Sequence, residues 1–242
     1  MLRGGESEDG VALMPAGVAR VAVYYAPLLD DPLWERAAAW LGRDPETNAA
    51  RPQPDVPDIA AVTADARTYG FHATLKPPMR LKPGSDWHEL VAATEKIASA
   101  MTPFAMPQLS VQDVHGFLAL RETVPSPELQ ALSDAFVGGL DSFRQPPDEV
   151  ELTRRRKNGL PAAQEANLVR WGYPYVFNTW FFHMTLTRRL DVRENAVFKP
   201  AAEAWFADAI AAPRMVRDVC LFTQVAPGGP FSLAVRFPLT GK

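Results

Sequence analysis

Two stretches of this chain set a histidine in the same frame, H-x-T-L: residues 68–78 read TYGFHATLKPP and residues 180–189 read WFFHMTLTRR. Both are led by aromatic residues, and both alternate apolar with polar side chains, the period-two signature of a β-strand with one buried face. His72, Thr74 and Lys76 then share one face of the first strand, opposite Phe71, Ala73 and Leu75. His183, Thr185, Thr187 and Arg189 share one face of the second, opposite Phe182, Met184 and Leu186. A chain that builds this strand twice buries both apolar faces and leaves both polar faces for a common cleft.

The elements around the two frames follow one rhythm. ARVAVYYAP (19–27) reads as a strand ending at proline. DDPLWERAAAWLG reads as a helix capped by Asp31, with Pro32 in its first turn and Gly42 as its stop. IAAVTADART reads as a short helix and SDWHELVAATEKIASAM as a longer one with an S-x-x-H start. MPQLSVQDVHGFLALRET reads as two strands meeting in a hairpin at His115-Gly116, and SPELQALSDAFVGGLDSF as a helix capped by Ser126. Residues 145–178 break the rhythm with a charged, partly helical, proline-bearing connector. The second H-x-T strand follows, then a helix (RENAVFKPAAEAWFADAI) interrupted at Pro200, then two strands around APGGP.

The expected fold class is α+β: two antiparallel sheets around a central cleft, with helices outside. The expected division is a disordered leader over 1–18 and one bilobal domain over 19–239. Its first lobe runs to about 144, and its second from about 179. Which tyrosine of the first strand, Tyr24 or Tyr25, faces outward is left open.

Composition narrows the function. With 25 basic against 28 acidic residues, a net charge of -3 gives no general pull toward nucleic acid or an anionic membrane, so anion binding has to be local. The one cysteine, Cys220, allows no intrachain disulfide and reads as a buried strand residue, which fits a reducing, cytoplasmic location. No apolar run reaches the roughly 20 residues of a membrane span. Catalytic zinc takes three protein ligands, and the chain has no H-x-H, H-E-x-x-H or C-x-x-C. It also has no G-x-x-x-x-G-K nucleotide loop. No metal and no cofactor are expected.

A histidine, a hydroxyl and a cation in a row can grip a phosphate: the imidazole moves a proton, the hydroxyl donates a hydrogen bond and the cation balances charge. Two such rows facing one phosphorus allow paired acid–base catalysis, since an unperturbed imidazole titrates near neutrality. Lys76 and Arg189 are the cations that strand parity places beside the histidines, and Tyr69 is placed to reach the cleft mouth. The run TRRRKNG (153–159) and the aromatics of WGYPYVF (171–177) lie in the connector, as solvated or packing surface or as contacts to a second phosphate or a base. His88 and His115 receive no role.

The two H-x-T strands in an α+β chain resemble the 2H phosphoesterase superfamily, which includes RNA 2′-5′ ligase-like proteins. The strings WLGRD, YGFHATLKPP, GFLAL, RWGYPYV and FHMTLTRRL are similar to a bacterial branch of it associated with phosphonate metabolism, over residues 19–239. The resemblance implies catalytic roles for His72 and His183 and phosphate binding by Thr74 and Thr185. It implies a cyclic phosphodiesterase acting on a small phosphodiester, a sugar phosphate of phosphonate catabolism among the candidates. The alternative is a protein that processes or binds RNA ends bearing 2′,3′-cyclic phosphates. Members of the branch carry an acidic residue shortly before the second histidine, whereas here VFNTWFFHMT is uncharged.

Overall fold

In a computed structural model of the chain, residues 18–241 are described. The expected leader falls outside them except for Val18, which packs against the core. The strands are β1 (Arg20–Tyr25), β2 (Ala73–Met79), β3 (Phe104–Ala105), β4 (Leu109–Val114), β5 (Phe117–Glu122), β6 (Met184–Arg189), β7 (Met215–Val216), β8 (Asp218–Gln224) and β9 (Phe231–Pro238). The helices are α1 (Pro32–Leu41), α2 (Ile59–Val62), α3 (Ala64–Tyr69), α4 (Trp87–Ser99), α5 (Pro127–Gly139), α6 (Glu149–Arg156), α7 (Ala162–Trp171) and α8 (Val192–Ala211).

The large strands pair antiparallel in the order β4-β5-β6-β2-β1-β8-β9, with β3 and β7 forming a small separate ladder. The two H-x-T strands are neighbours. They touch through one paired position, Ala73 with Met184, so the sheet divides there into a half of three strands and a half of four. The halves do not follow the expected division of the sequence. β4 and β5, which precede the connector, pair on toward β6, which follows it; β8 and β9 pair back onto β1. Alternation marks which face of a strand is buried but carries no information on which strand lies beside it, and each end of the chain exchanges strands with the other half.

The alternation itself holds. Val21, Val23 and Tyr25 of β1 enter the main core, to which α1, α4, α5 and α8 also contribute. Ala22, Tyr24 and Ala26 face the other way and join Cys220, Phe222 and Phe231 in a smaller cluster. Cys220 is fully buried, and burial pushes its thiol up to about 12.

Capping follows the sequence in most places. Asp31 accepts from the Leu33 amide, Gly42 closes α1 in the left-handed region, and Ser126 caps α5. His115 and Gly116 both take positive φ (51° and 96°) between β4 and β5, as a tight hairpin turn requires. Three expectations are corrected. The cap of α4 is Asp86, which accepts from the His88 and Glu89 amides, and not Ser85. IAAVTADART forms two helices, and the second runs on to Tyr69, so Tyr69 ends a helix rather than leading a strand. Pro200 does not interrupt α8, which is continuous across it. Burial of Phe198, Ala202, Phe206 and Ala209 along that helix outweighs the roughly 3 kcal/mol that an interior proline costs.

Candidate active site

The junction pair fixes the site. Antiparallel pairing of Ala73 with Met184 sets His72 across from Thr185 and Thr74 across from His183, because partner numbers in such a ladder keep a constant sum. Ala73 and Met184 both point into the main core, so the two histidines and two threonines share the opposite face. All four are partly exposed.

Each imidazole is held in the same way. His72 Nδ1 lies 2.9 Å from the Gly70 carbonyl oxygen and His183 Nδ1 lies 3.1 Å from that of Phe181, two residues upstream in both cases. A carbonyl only accepts, so each Nδ1 carries the proton and each Nε2 is left to the cleft. His72 Nε2 also lies 3.2 Å from Thr74 Oγ1. Gly70 makes the first arrangement possible. Its φ is +77°, and a Cβ there would come within 2.7 Å of Pro45 Cβ. Arg43 braces the same turn by donating to the carbonyls of Arg67, Thr68 and Phe231, which ties the end of α3 to β9.

Burial holds the His72 imidazole down to about 4, with the nearby His183 adding to the effect. Burial also lowers His183, and the Arg121 cation lowers it further. Neither ring keeps the near-neutral value that the residue types alone imply; both are neutral at pH 7.

The two expected cations part company. Arg189 is exposed and pairs in register with Phe117, whose ring meets that of His183 at 5.8 Å, so Arg189 stands at the rim of the histidine face. Lys76 is not in the cleft. It is 2% exposed, its Nζ donates to the Val137 carbonyl oxygen at 2.9 Å, and it lies 3.8 Å from Asp141. The cause is a β-bulge. Tyr24 pairs with Thr74 but Val23 pairs with Lys76, so Leu75 is an extra residue and parity reverses beyond it. Thr187 also leaves the cleft: it is 1% exposed, and its Oγ1 accepts from the Leu118 amide at an irregularity between β5 and β6.

Tyr69 stacks on Phe231 at 5.4 Å, and its ring centroid lies 6.2 Å from that of His72. Of the residues still to place, only Arg121 escaped the sequence reading. Tyr24 stacks on His72 with ring centroids 3.7 Å apart, which answers which tyrosine of β1 faces the cleft. Arg121 lies over the Phe181 ring at 5.1 Å and donates to the Phe182 carbonyl oxygen. Parity along GFLALRE could have found it, since Leu118 and Leu120 are core and Arg121 has the other face. Tyr173 of the connector carries Arg155 over its ring at 4.6 Å and meets Tyr175 edge-on at 5.8 Å. A separate cleft of about 330 Å³ opens beyond the far end of β2, lined by Arg20, Arg80, Arg144, Asp148 and Arg154 among others. There Arg80 pairs with Asp148. Among the described residues no three His, Cys, Asp or Glu side chains gather as a metal ion would require, and no helix is long and apolar enough to cross a membrane.

The fold and site define an antiparallel α+β protein with a paired H-x-T face at the seam of its sheet. The chain belongs to the family described as Protein of unknown function (DUF1045), which it matches over residues 74–232. It is 36% identical over 241 residues to "Ribose 1,5-bisphosphate phosphokinase PhnN" of Janthinobacterium sp. (strain Marseille), covering 96% of this chain and 53% of that protein. It is 33% identical to the protein of the same name from Laribacter hongkongensis (strain HLHK9), covering 88% and 50%. The chain thus spans about half the length of these curated relatives. Solved structures similar to it include TT0787 of Thermus thermophilus (TM-score 0.46, 17% identity, 92% of this chain and 99% of that one). E. coli LigT complexed with NADP+ is another (TM-score 0.44, 14% identity, 92% and 99%).

Proposed function

We propose that this chain is a phosphodiesterase that opens a small cyclic phosphodiester by two-histidine acid–base catalysis without a metal, acting on a cyclic sugar phosphate of phosphonate breakdown. The observation that carries the reading is the seam register, which brings two Nδ1-anchored histidines and two threonines onto one face.

His72, which burial keeps unprotonated at neutral pH, is the base. Its Nε2 takes a proton from water as the water oxygen bonds to phosphorus. The ring P–O bond breaks, and the leaving oxygen takes the Nε2 proton of His183. Thr74 and Thr185 hydroxyls donate to the non-bridging oxygens. For His183 to act as the acid it must be protonated when substrate is bound. An anionic phosphate about 4 Å away is worth roughly 4 kcal/mol at an effective dielectric near 20, enough to raise an imidazole pKa by about three. Substrate binding thus supplies the protonation that burial opposes.

The name of the curated relatives states a kinase. This chain has no G-x-x-x-x-G-K loop, so we assign that activity to the half of those proteins that it does not span. When a cyclic phosphate bridges C1 and a second hydroxyl of a ribose phosphate, breaking the P–O bond to the second oxygen leaves a C1 phosphomonoester, the class of substrate in the relatives' name, which supports the sugar phosphate reading. The connector run gives the RNA alternative little support: Arg155 and Arg156 are engaged by Glu151 and Glu165, and Arg154 lies 3.8 Å from Glu151.

The test is a screen of cyclic and linear phosphodiesters with wild type and His72→Ala, with and without chelator. The expected result is turnover of a cyclic sugar phosphate that chelator leaves intact and the variant loses. Activity abolished by chelator, or undiminished in the variant, overturns the reading. Tight, salt-sensitive binding of single-stranded RNA without small-molecule turnover favours the RNA alternative.

A further inference from the structure

The cleft of about 330 Å³ beyond the far end of β2 takes no part in the two-histidine chemistry: none of His72, Thr74, His183 and Thr185 lines it. On β1 its Arg20 stands four residues, about 13 Å, from the Tyr24 that stacks on His72, too far for one phosphate to engage both. Its size falls at the lower end of the roughly 300–1,000 Å³ of small-molecule sites. Its charge sets it apart. Arg20, Arg80, Arg144 and Arg154 line it against Asp148 and Glu151, an excess of two positive charges in a chain whose net charge is -3.

Two of the four guanidiniums are held in place. Arg20 Nε donates to Gln224 Oε1 at 2.7 Å, and its guanidinium lies over the Phe231 ring. Gln224 is 1% exposed and its Nε2 donates to the Gly229 carbonyl oxygen, so it cannot turn away. Neither Nη of Arg20 has a partner among the described residues. Arg144 is forked onto Asp141 through Nε and Nη2; that carboxylate does not line the cleft and is shared with Lys76. Gly172 leaves Arg144 room, since a Cβ there would come within 2.8 Å of its Nη1. Backbone contacts fix the walls to each other: the Gln145 amide donates to the Arg80 carbonyl oxygen at 2.8 Å, and Leu81 bridges to Arg144. The other two guanidiniums are loosely engaged. Arg80 meets Asp148 at 3.3 Å with both more than half exposed. Arg154 stands 3.8 Å from a Glu151 carboxylate that Arg155 already holds at 2.6 Å. Exposed pairs of this kind are weak, so an anion in the cleft can compete for both arginines.

We propose that this cleft binds a small phosphomonoester, at a site distinct from the H-x-T face and independent of the phosphodiesterase reading. A phosphomonoester carries about −1.5 to −2 charges at neutral pH, which matches the excess; a carboxylate carries one. The planar guanidinium fork engages phosphate oxygens two at a time. Pro78, Pro146, Pro147 and Pro227 form much of the remaining wall. They have no N–H, so they give the ligand's body a packing surface and leave the phosphate to the arginines. Arg20 and Arg80 stand at the ends of β1 and β2, and Arg154 belongs to α6, so the bound phosphate ties the connector to the sheet.

The test titrates ribose 5-phosphate, with ribose as the uncharged control, into the full chain by calorimetry, using wild type, His183→Ala, Arg20→Gln and Arg154→Gln. Each arginine variant should weaken ribose 5-phosphate binding about tenfold or more, the loss of a charge-assisted hydrogen bond. His183→Ala should stay within about twofold of wild type, and ribose should not bind. Arg154 is exposed and meets Glu151 only at 3.8 Å, so Arg154→Gln keeps the fold. It decides the matter if Arg20→Gln, which gives up the Gln224 bond, melts lower. Wild-type affinity in Arg154→Gln, loss of binding in His183→Ala, or no binding at millimolar ribose 5-phosphate overturns the site. Turnover of a cyclic diester is decided separately by the substrate screen, so either reading can fail without the other.

Discussion

His72 lies flat on Tyr24 at 3.7 Å with Thr74 bonded to its Nε2, whereas His183 meets Phe117 edge-on at 5.8 Å and has the Arg121 cation nearby. Both strands spell H-x-T-L, and both anchor Nδ1 on the carbonyl two residues back. The first ring is lowered by its surroundings to about 4; the second is also lowered, with a like charge contributing. The strands also treat their cations differently. A bulge turns Lys76 into the core, and Arg189 stays at the rim. A duplicated motif thus supplies two similar imidazoles in different surroundings, a stacked ring and a hydroxyl beside His72, an edge-on ring and a cation beside His183.

The widest break in the comparison comes from removing either imidazole. Alanine at His72 or at His183 should lower kcat by about 10²–10⁴, measured on whichever cyclic diester the screen identifies. If only one substitution has that effect, the paired mechanism fails and one histidine is structural.

The next largest effect should separate the two cations. Arg189→Ala should raise KM several-fold, to about tenfold, with kcat retained. Lys76→Met should leave both constants within about twofold, because its amine serves the α5 carbonyl and Asp141 rather than substrate. A KM effect at Lys76 matching that at Arg189 would mean that the bulge does not remove it from the site.

Stability against pH sharpens the same contrast. Burial lowers Lys76 to about 8 from 10.5. Between those values the unfolded chain holds the extra proton, so wild-type stability should gain a rising contribution from about pH 8 to 10.5. Lys76→Met should remove that rise in a series of denaturant melts. His72 follows the same sign rule at lower pH. Its folded value near 4 lies below 6.5, so stability should fall as pH drops from about 6.5 to 4. His72→Gln should flatten that limb.

The smallest effect belongs to Arg121. Arg121→Met removes the like charge beside His183 and should move that imidazole's pKa slightly upward, visible by NMR titration of His183. No movement, or a downward one, would place the cation too far away to distinguish the two rings.

Most elements were legible because their signals are local. Asp31 and Gly42 bound α1, Ser126 caps α5, His115-Gly116 turns a hairpin, and period-two alternation marked both H-x-T strands. The failures were not local. Pro200 sits inside a helix that packing holds together, Leu75 is an extra residue only relative to Val23 and Tyr24 across the ladder, and the strand exchange between halves has no periodicity to reveal it.

The sequence by itself determined that this chain would place two histidines and two threonines on the polar faces of two strands, because side chains alternate along any strand whatever its neighbours. Only the tertiary structure decided that the strands meet at Ala73 and Met184, that Lys76 turns inward, and that Tyr24 and Arg121 gather near the rings. Register, bulges and burial are properties of pairs of segments, and they set which groups share a face and how firmly each imidazole keeps its proton.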